Sequence, residues 1–212
     1  MGFKVLILDC DGVMFDSKEA NKAFYETILS KLGLPPLRDE ELEYAHASTA
    51  LQALTFLLER RGVHLDEERI RKMLPSLSIS YDPFMEYMKP MPHLKELLQG
   101  LPSGIKRAIC TNRTTTIHPL LERFNLRHYF DLVVSASDVK RPKPFPDALL
   151  KITEAFSVTP KECLYVGDTD HDEKAACAIS MPFVAYRNPR LRADYHIEDL
   201  LELLEIIRSK TP

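Results

Sequence analysis

The chain has 212 residues, of which 45% are hydrophobic and 28% are charged, the composition of an ordinary soluble globular protein. This length suffices for one large domain or two modest ones. A net charge of -3 gives no basic field for nucleic acid or for anionic lipids, so we expect neither as a partner.

The chain opens with an apolar run, KVLIL, at residues 4–8. This run is too short for a signal peptide or a membrane span, so we expect a cytoplasmic protein that does not bind membranes. Similar runs recur later, at 107–110, 131–135, 163–167 and 183–186. Because these runs are continuous rather than alternating, they predict strands that are covered on both faces.

The segment from 17 to 88 interrupts this pattern. It contains no convincing strand, and apolar residues recur there at helical spacing, at Ala20, Ala23, Phe24, Ile28 and Leu32 and again at Leu51, Leu54, Leu57 and Leu58. We expect an all-helical domain at 17–88, inserted into a core domain formed by 1–16 and 89–212. A helical layer packed permanently on the sheet is the alternative.

After the insertion, helices and strands alternate. Helical spacing is present at 93–99, 114–124, 145–156, 170–179 and 197–207. Strands that alternate with helices indicate βαβ units. The sequence therefore predicts an α/β fold, a parallel sheet with helices on both faces.

Polar residues follow several of the predicted strands. In a parallel sheet, ligands bind beyond the carboxyl ends of the strands, so these residues are expected to converge. Each strand end alone is explained equally well by a loop or a helix cap, and a single lysine by a solvated surface. The residues at this edge are Asp9 and Asp11 after the first strand, Thr111 and Asn112 after the second, Lys143 in a following loop, and Asp168 and Asp172 after the fourth.

These residue types suit phosphoryl transfer as a set. Asp9 and Asp168, brought together, form an all-oxygen site suited to Mg²⁺. The hydroxyl of Thr111 and the ammonium of Lys143 would hold a phosphate. A carboxylate can attack phosphorus directly, and the second carboxyl, Asp11, can protonate the leaving oxygen and then deprotonate water.

Calcium binding is the competing interpretation, because DTDHD (168–172) has the acid spacing that begins an EF-hand loop. The sixth position of that loop is Glu173 where glycine is needed. The twelfth is Ile179 where glutamate is needed. The stretch is therefore not an EF-hand.

Four stretches resemble the motifs of one family in their order along the chain. They are LILDCDGVMFDS (6–17), AICTN (108–112), KPFPDALL (143–150) and LYVGDTDHDEKAA (164–176). The first resembles the Asp-x-Asp-Gly motif of the haloacid dehalogenase superfamily, and the others resemble its second, third and fourth motifs. The resemblance covers about 1–16 and 89–200, which leaves only the helical insertion without a motif.

The resemblance implies a Rossmann-like core with a small helical cap domain, in which the cap selects the substrate. It assigns Asp9 as nucleophile and Mg²⁺ ligand, and Asp11 as general acid/base with its backbone carbonyl also on the metal. It further implies that Asp168 completes the metal site and that Asp172 orients Lys143 or a metal-bound water. Thr111, Asn112 and Lys143 would bind the phosphoryl group.

Within the superfamily, the chain is similar to the phosphatase branch that includes the phosphoglycolate phosphatases and the β-phosphoglucomutases. The resemblance implies a Mg²⁺-dependent phosphatase that hydrolyses a small phosphorylated metabolite through an aspartyl phosphate. A sugar phosphomutase like β-phosphoglucomutase is one alternative, and a non-catalytic binding protein on the same fold is another. The sequence carries no signal for the substrate or the oligomeric state.

Four further residues are candidates for substrate specificity. His46, Ser48 and Thr49 lie at a break between predicted helices, and Arg113 lies beside the second motif. The first three could face a leaving group, and Arg113 could meet another anionic group of the substrate. The alternatives are a helix N-cap made by Ser48 or Thr49 and a surface arginine.

Overall fold

A computed structural model describes residues 2–210 of the chain. The described residues divide into two compact units. One unit comprises the residues up to Phe15 together with those from Pro90 onward, and the other is Asp16–Lys89. Within 2–210, every helix is too short or too polar to traverse a bilayer.

The first unit is built on a six-stranded parallel sheet. Its strands are β1 (Val5–Leu8), β4 (Lys106–Cys110), β5 (Leu132–Val134), β6 (Cys163–Gly167), β7 (Phe183–Tyr186) and β8 (Tyr195–Ile197). Their order across the sheet is β5-β4-β1-β6-β7-β8. Two short strands, β2 (Phe15–Asp16) and β3 (Lys89–Pro90), form a separate two-stranded sheet. The predicted α/β class with a parallel sheet is confirmed.

Strand β1 lies in the middle of this sheet because all four of its residues are apolar and buried. It pairs in parallel with β4 on one side and with β6 on the other. Val5 and Ile7 pack in a cluster with Leu149 and Ile152 of the helix at Asp147–Phe156, while Leu6 on the opposite face is also buried. A strand that is covered on both faces has a continuous apolar sequence. Apolar and polar side chains therefore do not alternate along β1.

The described residues of this unit form five α-helices: α5 (Leu94–Gly100), α6 (Ile117–Arg123), α7 (Asp147–Phe156), α8 (Asp170–Cys177) and α9 (Glu202–Lys210). The predicted helix over 197–207 is wrong at its start, where the strand β8 ends and four residues precede α9. The Glu202 carboxylate accepts the backbone N–H groups of Glu198 and Asp199, each at 2.9 Å. These bonds hold the residues before the helix in a turn, although their apolar spacing is helical.

The second unit contains helices and no strand inside 17–88. Its helices are α1 (Lys18–Lys31), α2 (Asp39–Ala47), α3 (Ala50–Glu59) and α4 (Glu67–Ser76), followed by a 3₁₀ helix at Asp82–Tyr87. The helices bury their own apolar cluster, which includes Ile28, Leu54 and Ile70. Beside it, the fully buried carboxylate of Glu41 pairs with Arg61 at 2.9 Å.

Candidate active site

The candidate site lies at the carboxyl ends of three neighbouring strands. Asp9 follows β1, Thr111 follows β4 and Asp168 follows β6. Asp9 extends the sheet by one bond, since its N–H donates to the Val166 carbonyl at 3.0 Å. Because the three strands are parallel and adjacent, their ends meet at the same edge of the sheet.

Lys143 crosses this edge from the loop before α7. Its Nζ lies 2.8 Å from Oδ1 of Asp9 and 2.6 Å from Oδ1 of Asp172. It also donates to the Tyr165 hydroxyl at 3.1 Å and to the Cys110 carbonyl at 3.2 Å. The ammonium is almost fully buried, so these oxygens replace its water shell.

Tyr165 is a site residue that the sequence analysis missed. It is fully buried in β6, and its hydroxyl accepts from Lys143 and donates to Oδ1 of Asp172. A tyrosine in an otherwise aliphatic strand is the signal that was available, because a buried phenol requires a polar partner. Because the stretch after this strand is rich in acids, DTDHD at 168–172, an acid of that stretch is the expected partner of the phenol.

Asp172 is held on all sides in the first turn of α8. Its Oδ2 accepts the hydroxyl and the backbone N–H of Thr169, at 2.6 and 3.1 Å, in a capping box that opens the helix. Its Oδ1 receives Lys143 and Tyr165. A Cβ added at Gly167 would lie 2.4 Å from the Asp172 Cβ, so only glycine leaves room for this carboxylate.

The carboxyl groups of the site have divergent pKa values. Burial raises the pKa of Asp9 to about 7, although Lys143 opposes the shift. Burial, reinforced by Asp172 and Asp9, raises the pKa of Asp168 well above its ordinary value of 3.8. Burial also acts on Asp172, but the ion pair with Lys143 lowers the pKa of this carboxyl overall. Burial therefore favours the protonated forms of Asp9 and Asp168, whereas Lys143 favours the ionised form of Asp172.

The residues fit a divalent cation. Asp9, Asp168 and Asp172 each offer a carboxylate oxygen, and these atoms lie within 4.8 Å of one another. Asp172 is already saturated with hydrogen bonds, whereas the buried Oδ1 of Asp168 has no hydrogen-bond partner within residues 2–210. The side chain of Asp168 also fills the space that Gly12 leaves, since a Cβ there would lie 2.0 Å from Oδ2. Asp9 and Asp168 are thus the carboxylates available to a metal ion.

Thr111 and Asn112 connect the second and third motifs. The Thr111 hydroxyl accepts the N–H of Arg113 at 3.1 Å, and the Asn112 amide donates to the Lys143 carbonyl at 3.0 Å. Both side chains belong to buried residues. The Asn112 amide therefore fixes the backbone from which Lys143 projects.

Asp11 lies apart from the three clustered carboxylates, and Arg113 binds it. Both of its side-chain oxygens accept from the guanidinium, Nε to Oδ2 and Nη2 to Oδ1, each at 2.7 Å. Arg113 is buried, so the alternative of a surface arginine is wrong. The sequence does not predict this pairing, because about a hundred residues separate Asp11 from Arg113.

Cys10 lies between Asp9 and Asp11 in the sequence. Its side chain is fully buried, and burial raises the pKa of its thiol well above the ordinary value. Its backbone N–H donates to Oδ1 of Asp9 at 2.7 Å. The residue contributes to the site through its backbone and not through its sulfur.

Of the three candidates of the helical insertion, Thr49 and His46 have hydrogen-bond partners within the second unit. Thr49 caps helix α3, as the alternative for this stretch predicted: its hydroxyl accepts the Gln52 N–H and the Gln52 side chain accepts the Thr49 N–H. The Asn21 amide donates to Nδ1 of His46 at 2.9 Å, which assigns the proton of a neutral imidazole to Nε2. Ser48, between them, is also buried.

Comparisons with known proteins find relatives of this chain in sequence and in fold. A family model described as haloacid dehalogenase-like hydrolase matches residues 6–186. Phosphoglycolate phosphatase from Escherichia coli (strain K12) is 29% identical over 196 residues, which cover 83% of this chain and 78% of that protein.

Two solved structures share the fold over nearly the whole chain. A hydrolase of the haloacid dehalogenase superfamily, subfamily IA, from Geobacter sulfurreducens is 37% identical, covers 97% of both chains and has a TM-score of 0.76. β-Phosphoglucomutase from Clostridium difficile has a TM-score of 0.87 and covers 98% of this chain and 96% of its own. Its identity is 20%, so this second likeness shows the fold alone.

Proposed function

This chain belongs to the haloacid dehalogenase-like hydrolase family, and we propose that it is a Mg²⁺-dependent phosphatase acting on a small phosphorylated metabolite through an aspartyl phosphate. The observation that carries the proposal is the convergence of Asp9, Lys143 and Asp168 at one sheet edge. The phosphatase relative from Escherichia coli supports a phosphate ester as substrate.

Asp9 is the nucleophile of the proposed reaction. One carboxylate oxygen of Asp9 bonds to phosphorus while the bond from phosphorus to the leaving oxygen breaks. Asp11 gives a proton to that oxygen, so the product leaves as an alcohol. Asp11 then takes a proton from water, whose oxygen attacks phosphorus, releases phosphate and restores Asp9.

The other residues hold the phosphoryl group and its charge. The buried ammonium of Lys143 and the hydroxyl of Thr111 bind its oxygens, and Asn112 and Tyr165 keep Lys143 in position. Asp9, Asp168 and the Asp11 backbone carbonyl would hold the metal ion, with Asp172 orienting Lys143 from behind. Mg²⁺ in this position would neutralise negative charge between the carboxylates and the phosphate.

Hydrolysis is preferred over mutase chemistry and over binding without catalysis. The mutase likeness rests on the shared fold, whereas the phosphatase relative matches in sequence over most of the chain. A binding protein would have no use for a buried nucleophile beside a buried ammonium, which costs desolvation energy to maintain. We assign the residues at 17–88 to substrate selection as a helical cap.

The proposal is tested by phosphate release. Purified protein is incubated with p-nitrophenyl phosphate and with a panel of phosphorylated sugars, carboxylic acids and nucleotides, with MgCl₂ or with EDTA. We expect release with MgCl₂ only, reduced about a thousandfold or more in Asp9→Asn. Asp16→Asn, an exposed aspartate of the same stretch, is the matched control and should retain activity. Release of no phosphate from any compound would contradict the proposal.

A further inference from the structure

The ion pair between Asp11 and Arg113 is the feature of the site that the proposed reaction leaves unexplained. We propose that Arg113 determines specificity: it binds a second anionic group of the substrate, a carboxylate or a second phosphate, and this group displaces Asp11 from the guanidinium. The inference rests on the proposed function. It adds that the substrates are phosphate esters with a second negative charge.

The first argument is that Asp11 is fully engaged by Arg113. Each of its two oxygens accepts one N–H of the guanidinium at 2.7 Å, in the two-pronged geometry that makes such pairs strong. A general acid/base has to bring an oxygen to the leaving group and later to water. The pair must therefore open for Asp11 to act.

The second argument is that Arg113 stays in place when Asp11 leaves. Its Nη1 donates to the Thr116 hydroxyl at 3.2 Å, its backbone N–H donates to the Thr111 hydroxyl at 3.1 Å, and its carbonyl accepts the Ala136 N–H at 2.9 Å. Asp11 is held through its backbone, which bridges to Phe15. Rotation of the Asp11 side chain is therefore enough to open the pair.

The third argument is the cost of opening a buried ion pair. The Arg113 side chain is 7% exposed, so water reaches little of the guanidinium. Separating Asp11 from the guanidinium therefore costs free energy, and an incoming anion offsets that cost. Thr111, which would bind the phosphoryl group, accepts the backbone N–H of Arg113, so both residues lie at the same strand end.

The test compares ligands that cannot be hydrolysed. Methylphosphonate carries the phosphoryl mimic alone, phosphonoacetate adds a carboxylate, and methylenediphosphonate adds a second phosphonate. Titration calorimetry with excess MgCl₂ gives their dissociation constants. In the wild-type protein we expect one of the two ligands with a second anion to bind about tenfold more tightly than methylphosphonate, the effect of one charge-assisted contact. The tighter of the two identifies the anion.

Substitutions at Arg113 and Asp11, with a control at Arg141, then test whether Arg113 recognises the second anion or only supports the structure. The preference is the dissociation constant of methylphosphonate divided by that of the tighter ligand with a second anion. In Arg113→Met this ratio should fall to about one. In Asp11→Ala it should rise several-fold, because the competing carboxylate is gone. Arg141→Met removes a similar two-pronged pair, with Asp147 on the surface, and should keep the wild-type preference. If Arg113→Met does not fold, Arg113→Lys keeps the charge without the fork and should lower the preference.

A wild-type preference near one, or a preference that Arg113→Met leaves intact, would overturn the assignment of Arg113. So would an Asp11→Ala variant whose preference is no greater than that of the wild-type protein. Failure of all three phosphonates to bind the wild-type protein would instead contradict the proposed function. The two failures are therefore distinct.

Discussion

Substitution of Gly12 by alanine should displace Asp168, a proposed metal ligand, without changing the chemistry of its carboxylate. Gly12 has a φ of +79°, and a Cβ at this position would lie 2.0 Å from Oδ2 of Asp168 and 2.4 Å from its Cγ. Contacts this short do not occur, so the carboxylate must move. The substitution therefore tests whether the position of Asp168 matters for the reaction.

The size of the effect follows from two costs. An alanine at this φ is strained by about 1–2 kcal/mol, which lowers the free energy of unfolding. In addition, Oδ2 of Asp168 must retreat by roughly 1.4 Å, from 2.0 Å to the 3.4 Å of ordinary contact. A misplacement of about 1 Å in a catalytic site costs about a hundredfold in rate, so kcat/KM should fall by about that factor or more.

Gly62→Ala is the matched control for backbone strain. Gly62 has a similar φ of +73°, but no atom lies within 4 Å of an added Cβ. Thermal unfolding should show comparable destabilisation of the two variants, whereas phosphate release and Mg²⁺ affinity should be lost only in Gly12→Ala. Equal activity of the two variants would refute the assignment of Asp168 to the metal site.

Three further predictions follow from the charges. In Mg²⁺-free buffer the free energy of unfolding should fall as pH rises through about 7. The reason is that the raised pKa values of Asp9 and Asp168 make the native protein bind more protons than the unfolded chain. Added Mg²⁺ should therefore raise the free energy of unfolding more at pH 8 than at pH 6. Arg61→Ala strips a buried carboxylate of its main partner and should cost about 3 kcal/mol in chemical denaturation, whereas Lys72→Ala, in an exposed pair, should cost less than about 0.5 kcal/mol. Tyr165→Phe should lower kcat/KM about tenfold in the phosphate-release assay, since the phenol bridges the lysine and an aspartate of the site.

Each of these has a contradicting result. Stability that rises with pH between 6 and 8 without Mg²⁺ would show that the two carboxyl groups do not bind protons in the native state. Equal losses in the arginine and lysine variants would mean that the buried pair of the helical unit is worth no more than a surface pair. Unchanged kinetics in Tyr165→Phe would remove the phenol from the site.

The sheet was predictable because its strands are buried on both faces. The runs at β1, β6 and β7 are continuous and apolar, and the structure places strands there within a residue of the predicted bounds. Strand β8 was missed because three residues, one of them buried, are too few to show a pattern. The fold class follows from the long elements, and short edge strands depend on tertiary pairing.

Within the site, residues of distinctive chemistry were easier to find than their partners. Asp9 and Asp168 directly follow apolar strands, and Lys143 lies in a motif, so each stands out locally. The Tyr165 bridge and the pairing of Arg113 with Asp11 join residues that are distant in sequence or hidden among apolar neighbours. Such pairings depend on side-chain directions in the folded chain, which no local pattern encodes.

The account depends most on Asp9 as the residue that receives the phosphoryl group. The direct measurement is rapid acid quenching of the protein during turnover of p-nitrophenyl phosphate with MgCl₂, followed by proteolysis and peptide mass mapping. The account predicts one phosphoryl group on the peptide that contains Asp9, located at Asp9 by fragmentation and absent in Asp9→Asn. A phosphoryl group on another residue, or undiminished phosphate release by Asp9→Asn, would contradict it.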